Sequence, residues 1–341
     1  RGRGLHVFLV LNMATNSLLA LLVMTGIDKP CIIVVLALAN GTMRASQQTV
    51  STALVPNLVS KEHLLNAIAL NQATQQGARM TGALAIMPLL GIVNIEAAFW
   101  ACSSFYLVGF LLVSKVKTRS TGVINQNQGF LTNLFEGFVY VYKRPILRSI
   151  ILIVLAHCAL TMSYEALLPA ISEDKLNAGS VGTSYLMAGV GAGALLSSLF
   201  IAGVRSNSTK GKLYLLFALT SGLGPSLLAW SGYWGLSVVA TIYMGINQAG
   251  FMTISHTIIQ SITEDRVRGR VAGVYSVHIG GSMAVTNWIN GAIADVFSAS
   301  AVMVVGGLIF FVVVVISLGS TSLRELYFSG NESSAVPTAS N

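Results

Sequence analysis

Ten stretches of this chain are long and apolar enough to cross a bilayer, and most connectors between them are short and polar. A spanning helix needs about 20 mostly apolar residues, because roughly 30 Å of hydrocarbon is crossed at 1.5 Å per residue. The runs lie at 5–26, 31–54, 65–92, 95–114, 148–170, 181–204, 212–231, 234–258, 270–296 and 299–319. Pro30, the turn at 91–94, Gly179, Gly211 and Gly232 punctuate them. With no water in the hydrocarbon, each backbone amide must bond within its own segment, so runs of this length are helices. The expectation is an all-α polytopic membrane protein. Only 9% of residues are charged, against about 25% in an ordinary soluble domain.

Lysine and arginine set the orientation. Sixteen of the 20 fall on one set of alternate connectors and the chain ends, only Lys29 and Lys175 on the other, and Arg44 and Arg79 inside runs. That bias places both termini in the cytoplasm and requires an even number of spans in a cell (inner or plasma) membrane. The net charge of +8 is then explained by anionic inner-leaflet lipid, and no nucleic-acid partner is expected. Cys31, Cys102 and Cys158 all lie in apolar runs, so no disulfide framework is implied. No metal-ligand cluster, phosphate-binding loop or catalytic dyad is evident. The expectation is therefore no cofactor and no enzyme activity. The chain opens on Arg1-Gly2-Arg3-Gly4 directly before a run and lacks an initial Met, which suggests that its N-terminal part is missing.

One long connector divides the runs into four and six. Residues 1–114 form an N-terminal bundle and 148–320 a C-terminal six-helix bundle. Within the connector, 115–147, Phe130, Leu131, Leu134, Phe135, Phe138, Val139 and Tyr142 make a helical apolar stripe ending at Lys143-Arg144. The pattern suits an amphipathic helix at the inner membrane surface. The tail, 321–341, is expected to be a disordered cytoplasmic segment.

Polar groups are unevenly distributed. The first, fourth, seventh and tenth runs are poor in them. Arg44 and Gln48 share a face of the second run, and Gln75 and Arg79 a face of the third. His157, Thr161 and Glu165 follow i, i+4, i+8 in the fifth run. Gln248, His256 and Gln260 share a face of the eighth, and Tyr275, His278 and Ser282 a face of the ninth. Amides and hydroxyls in membrane helices often only hold helices together. A charge at the bilayer centre costs at least about 2.5–3.5 kcal/mol and calls for a polar cavity or a counter-charge. Arg44, Gln48, Gln75, Arg79, His157, Glu165, Gln248, His256 and His278 are therefore the candidate substrate and proton pathway. Glu264, Asp265, Arg266, Arg268 and Arg270 form a candidate gating loop, its acids preceding a helix N-terminus where negative charge is favoured. Gly189-xxx-Gly193 in the sixth run permits close helix packing.

The hairpin around 40–91 returns some 200 residues later. Leu64-Leu65-Asn66-Ala67-Ile68-Ala69 lies over Val267-Arg268-Gly269-Arg270-Val271-Ala272, and Thr81-Gly82-Ala83-Leu84-Ala85 over Asn290-Gly291-Ala292-Ile293-Ala294. A parallel repeat of this kind is a transporter signature. Ala53-Leu54-Val55-Pro56-Asn57-Leu58-Val59 with Ala78-Arg79-x-x-Gly82 resembles the hairpin between helices four and five of the major facilitator superfamily. The similarity is to the branch of enterobactin exporters and macrolide efflux proteins. Arg268-Gly269-Arg270-Val271 with Tyr275-Ser276, and Glu136-Gly137-Phe138-x-Tyr140-Val141 before Pro145, resemble the same branch at helices ten to eleven and ahead of helix seven.

The resemblance implies a major facilitator fold in which the ten spans are helices three to twelve of twelve, the N-terminal bundle lacking its first two. It also implies a monomeric secondary transporter of a small organic molecule, coupled to protons, amid membrane lipids. Two other classes are weighed against it. A lipid-modifying membrane enzyme would want acids or histidines clustered at one membrane surface. A receptor or scaffold of transporter fold would carry no flux.

Overall fold

The computed structural model describes residues 2–26, 30–54, 64–115, 130–204, 206–264 and 267–329. Among the described residues all regular structure is helical. Thirteen α-helices follow in order: α1 (Gly2–Met24), α2 (Pro30–Leu54), α3 (Leu64–Pro88), α4 (Ile95–Ser114), α5 (Phe130–Lys143), α6 (Pro145–His157), α7 (Leu168–Leu176), α8 (Gly179–Ala202), α9 (Asn207–Trp230), α10 (Trp234–Ser261), α11 (Arg268–Ala294), α12 (Ala299–Ser317) and α13 (Thr321–Ser329).

The ends follow local chemistry. Asn94 accepts from the Ala97 amide at 2.9 Å and opens α4, and Ser298 does the same for Ala301 at 3.1 Å and opens α12. Arg144 is extended because Pro145 follows it, so α5 stops and α6 starts with proline in its first turn. Asn177 adopts the left-handed conformation, φ 48°, that closes α7.

Six of the ten predicted runs give helices long and apolar enough to cross a membrane by length and composition: Gly4–Met24, Ile95–Ser114, Pro145–Met162, Gly179–Ala202, Asn207–Trp230 and Ala299–Ser317. The other four, α2, α3, α10 and α11, are 25, 25, 28 and 27 residues long. Length does not separate them from the six, but their polar side chains do. They are the runs in which the arginines and most amides fall.

Two features correct the sequence expectation. Residues 148–170 do not form one helix. α6 ends at His157, a π-helical turn occupies Cys158–Met162, and a non-helical turn leads to α7. Ser163 gives the reason: its hydroxyl donates to the Cys158 carbonyl at 2.8 Å, replacing a backbone amide. Thr161 still sits one turn above His157, but Glu165 falls in the irregular turn, off the face expected for it. The expectation of disorder from 321 onward also fails for 321–329. These residues form α13, with Leu323, Leu326 and Tyr327 buried. Residues 330–341 lie outside the described residues.

The chain divides into two units, Arg1–Gln75 with Gly82–Ile124, and Gln76–Thr81 with Asn125–Asn341. In the first, α1 packs on α2 and α4, with Leu5 and Leu9 against Val50, Tyr106, Phe110 and Val113. In the second, α8 packs on α10, and α9 on α10 and α12. The α8–α10 contact depends on glycine. A methyl group at Gly193 would overlap the Ile242 carbonyl, and one at Gly245 the Val190 carbonyl. Gly189 meets the Thr241 hydroxyl in the same seam. The small-residue motif read from the sequence thus lets two backbones touch. Of the stripe on α5, Phe138 packs on the core while Phe135 and Tyr142 are exposed, and Val141, which lies off the stripe, is fully buried.

Candidate functional site

The polar side chains of the second unit gather at two levels. The first is the break between α6 and α7. Gln248 of α10 is buried, and its amide is used at both ends. Its nitrogen donates to the Thr161 carbonyl at 3.0 Å, and its oxygen accepts from the Tyr164 hydroxyl at 3.2 Å. Asn290 of α11 donates to the Ser163 carbonyl at 3.1 Å. These side chains occupy carbonyls that the break removes from the helical ladder, a requirement for irregular backbone at membrane depth. A cavity of about 40 Å³ lies beside the break, lined by Tyr164, Leu167, Pro225, Thr286, Asn290 and Gly306 among others. His157, fully buried, shares a 2.7 Å hydrogen bond with Ser221 and stacks on Phe251, ring centroids 4.3 Å apart. Glu165, in the irregular turn, is half-buried.

The second level is the end of the unit where α5 meets α11. His278 bonds the Val274 carbonyl through Nδ1 at 2.8 Å and the Tyr142 hydroxyl through Nε2 at 2.9 Å. A carbonyl can only accept, so Nδ1 carries a proton, and in the neutral ring Nε2 accepts from tyrosine. His256 of α10 lies 3.3 Å from Gln260 and tilts against Tyr275, centroids 5.4 Å apart. Arg144 and Glu264 form an ion pair at 2.6 Å. The Arg144 guanidinium also lies 4.2 Å over the Tyr140 ring, whose hydroxyl donates to Glu264 at 3.4 Å. Burial pushes the Tyr140 phenol up, and the Arg144 charge pulls the other way. Arg270 pairs with Glu136 of α5. Arg268 donates to the Thr263 carbonyl at 3.3 Å, and Asp265 and Arg266 lie outside the described residues.

In the first unit Arg44 is exposed on α2, and its charge acts on the Tyr106 phenol of α4. Gln75 on α3 is half-buried. The side chains of Gln48 and Arg79 lie outside the described residues. Gln47 accepts from Asn12 at 2.8 Å, tying α2 to α1.

The structure therefore joins Gln248 to the α6–α7 break, and Glu264 and Arg270 to α5. In the sequence alone, Arg144 counts only as an inside charge and Glu136 only as a motif residue. The helical spacing of Glu136, Tyr140 and Arg144 is the available signal for a shared face. Among the described residues no group of three or more His, Cys, Asp or Glu is placed to hold a metal ion.

Long apolar helices, polar side chains concentrated on four of them, and a side-chain-supported break in a fifth define a polytopic membrane protein of transporter type. The sequence profile described as transmembrane secretion effector matches residues 1–337. The chain belongs to that family, within the major facilitator superfamily, and is a multi-pass membrane protein. It is 24% identical over 297 residues to the enterobactin exporter EntS of Escherichia coli, covering 83% of this chain and 69% of that one. It is 22% identical over 251 residues to the multidrug efflux pump Tap of Mycolicibacterium fortuitum, covering 72% and 59%. An uncharacterized MFS-type transporter of Bacillus subtilis is 23% identical over 283 residues, covering 81% and 67%. The chain thus spans about two thirds of these relatives' lengths.

Among solved structures, a POT family transporter in complex with 5-aminolevulinic acid superposes with a TM-score of 0.66 at 11% identity, over 93% of this chain and 81% of that one. The fucose:proton symporter of E. coli gives 0.60 at 11% identity, over 95% and 83%. At such identities the likeness establishes the fold alone.

Proposed function

We propose that this chain works as a monomeric secondary active exporter, moving a small organic molecule of drug or siderophore-like character out of the cell by proton-driven alternating access. Its home is the cell (plasma or inner) membrane, with both termini cytoplasmic. The observation that carries the reading is membership of a family whose relatives here include an efflux pump and an exporter. The confinement of strong polar groups to a few helices supports it. Arg44, Gln48, Gln75, Arg79, Glu165, His256 and His278 are the proposed pathway residues. Gln248 and His157 hold the α6–α7 break. Glu264, Asp265, Arg266, Arg268 and Arg270 form the gate. Arginine keeps its proton at every physiological pH and cannot carry one, so Glu165, His256 and His278 are the proposed proton carriers. The test is ethidium efflux from proteoliposomes under an imposed pH gradient. Flux that ignores the gradient refutes the coupling.

Two expected results follow from this reading. Arg44 lies ten residues from the nearer end of α2, about 15 Å along the axis, beyond the few ångströms an arginine can reach by snorkelling. Lysine keeps the charge but loses the planar fork. Arg44→Lys and Arg79→Lys should insert normally yet lose most efflux. Alanine variants exporting at the wild-type rate would refute the pathway role.

The orientation is tested in a background lacking the three native cysteines. Thr209 and Asp174 are both exposed. A cysteine at Thr209 should react with an impermeant maleimide only from the cytoplasmic face, and one at Asp174 only from outside. The opposite pattern inverts the topology.

A further inference from the structure

Asn12 of α1 is fully buried where α1 meets α2, and it has no part in the pathway above. We propose that Asn12 is a positioning residue for Arg44: through its bond to Gln47 it sets the rotation of α2 about its own axis, and with it the direction of the guanidinium. The proposal rests on the pathway reading of Arg44 for its consequence in transport, but not for the rotation itself.

Among the described residues α2 packs chiefly on α1, and most of its side chains from Cys31 to Ala45 are exposed. Lipid tails are as apolar as leucine, so apolar contact with a single neighbour holds a helix in place without choosing which face turns inward. A directional bond makes that choice. Three levels of α1 meet α2 in antiparallel order: Thr15 at Met43, Asn12 at Gln47, and Leu5 with Leu9 in the cluster that takes in Val50. The Thr15 hydroxyl spends its proton on the Leu11 carbonyl at 2.8 Å, so its 3.7 Å approach to the Met43 sulfur adds little direction. The 2.8 Å bond from Asn12 to Gln47 is the one that fixes an angle.

Asn12 is itself pinned. Its amide nitrogen donates to the Phe8 carbonyl at 2.9 Å and to the Gln47 side-chain oxygen, which uses both of its hydrogens. The Phe8 carbonyl can only accept, so the nitrogen end of the amide must face it, and Gln47 must present its oxygen. Arg44 stands three residues before Gln47, on a neighbouring face of the same helix. A rotation of about 30° at roughly 6 Å from the axis would carry its head about 3 Å, the length of a hydrogen bond.

The test reads position 44 directly. In proteoliposomes, and in a background without the three native cysteines, Arg44→Cys is modified with a positively charged methanethiosulfonate reagent and the rate is measured. Asn12→Leu and Gln47→Leu should each change that rate about fivefold, in the same direction, as the loss of one bond between membrane helices allows. Asn12→Gln with Gln47→Asn exchanges the two amides, keeps their summed length and should return the rate to within about twofold. Should the leucine variants fail to insert, Asn12→Ser decides, because serine is too short to reach Gln47 and adds no bulk. Ser103→Ala removes the 2.7 Å bond between Ser17 of α1 and Ser103 of α4. It loosens the unit without touching α2 and should leave the rate unchanged. An unchanged rate in the Asn12 and Gln47 variants overturns the proposal. So does an exchanged pair no better than the singles, or a Ser103→Ala variant that shifts the rate as far. With Arg44 in place, Asn12→Leu should cut ethidium efflux about tenfold, since small misplacements of a binding group are costly. Full efflux despite a shifted rate also overturns it. A wild-type chain that carries no ethidium counts against the transport reading, and the modification rates then decide the positioning by themselves.

Discussion

Gly193→Leu and Gly245→Val should abolish the folded second unit, and Gly193→Ala or Gly245→Ala should weaken it measurably. At both positions the atoms in the way are backbone carbonyls, of Ile242 and Val190 respectively. A side chain can rotate aside, but a helix carbonyl cannot. The axes of α8 and α10 must separate, and every contact in the seam loosens with them. Overpacking a tight core costs about 1–3 kcal/mol, occasionally more. A single methyl group at these sites should lie at the upper end of that range, and a branched side chain beyond it. A methyl group on Gly281 of α11 would meet nothing within 4 Å. Gly281→Ala is therefore the control and should be neutral or slightly stabilising, because alanine favours helix by up to about 1 kcal/mol. Thermal unfolding in detergent, followed by light scattering, ranks the variants. Equal unfolding temperatures for Gly193→Ala and Gly281→Ala would show that the seam is not close-packed.

The second large effect is expected at Gln248. Leucine is close in size but cannot donate to the Thr161 carbonyl or accept from the Tyr164 hydroxyl. A buried group left without a bond costs about 1–3 kcal/mol, so loss of the donor to the Thr161 carbonyl alone should make Gln248→Leu destabilising by roughly that much. Tyr164→Phe removes one of the same bonds by itself. The double variant should then cost less than the sum of the singles, the mark of a shared contact. Strict additivity in thermal unfolding would mean that Gln248 supports the break by some other route. If Gln248→Leu is as stable as wild type but loses efflux, the residue touches substrate instead.

Hydropathy makes the placement of every long helix but the run at 148–170 legible, because a run of twenty apolar residues has few alternatives. Gly189-xxx-Gly193 is legible as a close contact, but the opposing helix is not, since nothing local names α10. The α6–α7 break is invisible. Its cause is the Ser163 hydroxyl competing for the Cys158 carbonyl, and a single serine in an apolar run carries no weight in a hydropathy window. α13 escapes notice for a different reason: polarity from Ser329 onward colours the whole tail. Leu323, Leu326 and Tyr327 stand at helical spacing in the sequence and bury one face. At the candidate site, Glu264 and Arg270 stand out as charges. Their counterparts Arg144 and Glu136 are 120 and 134 positions away in the chain, a separation that only the fold closes.

The polarity of α10 and α11 bears on how the protein is made. A nascent helix of that kind gains less by entering lipid alone than a purely apolar one does. The seam that α10 needs is supplied by α8 and α9, and the contacts of α11 come largely from α5, α6 and the turn after α6. All of these leave the ribosome first. Each reluctant segment therefore emerges to find its neighbours already in the bilayer, and the order of translation itself does part of the work of a chaperone.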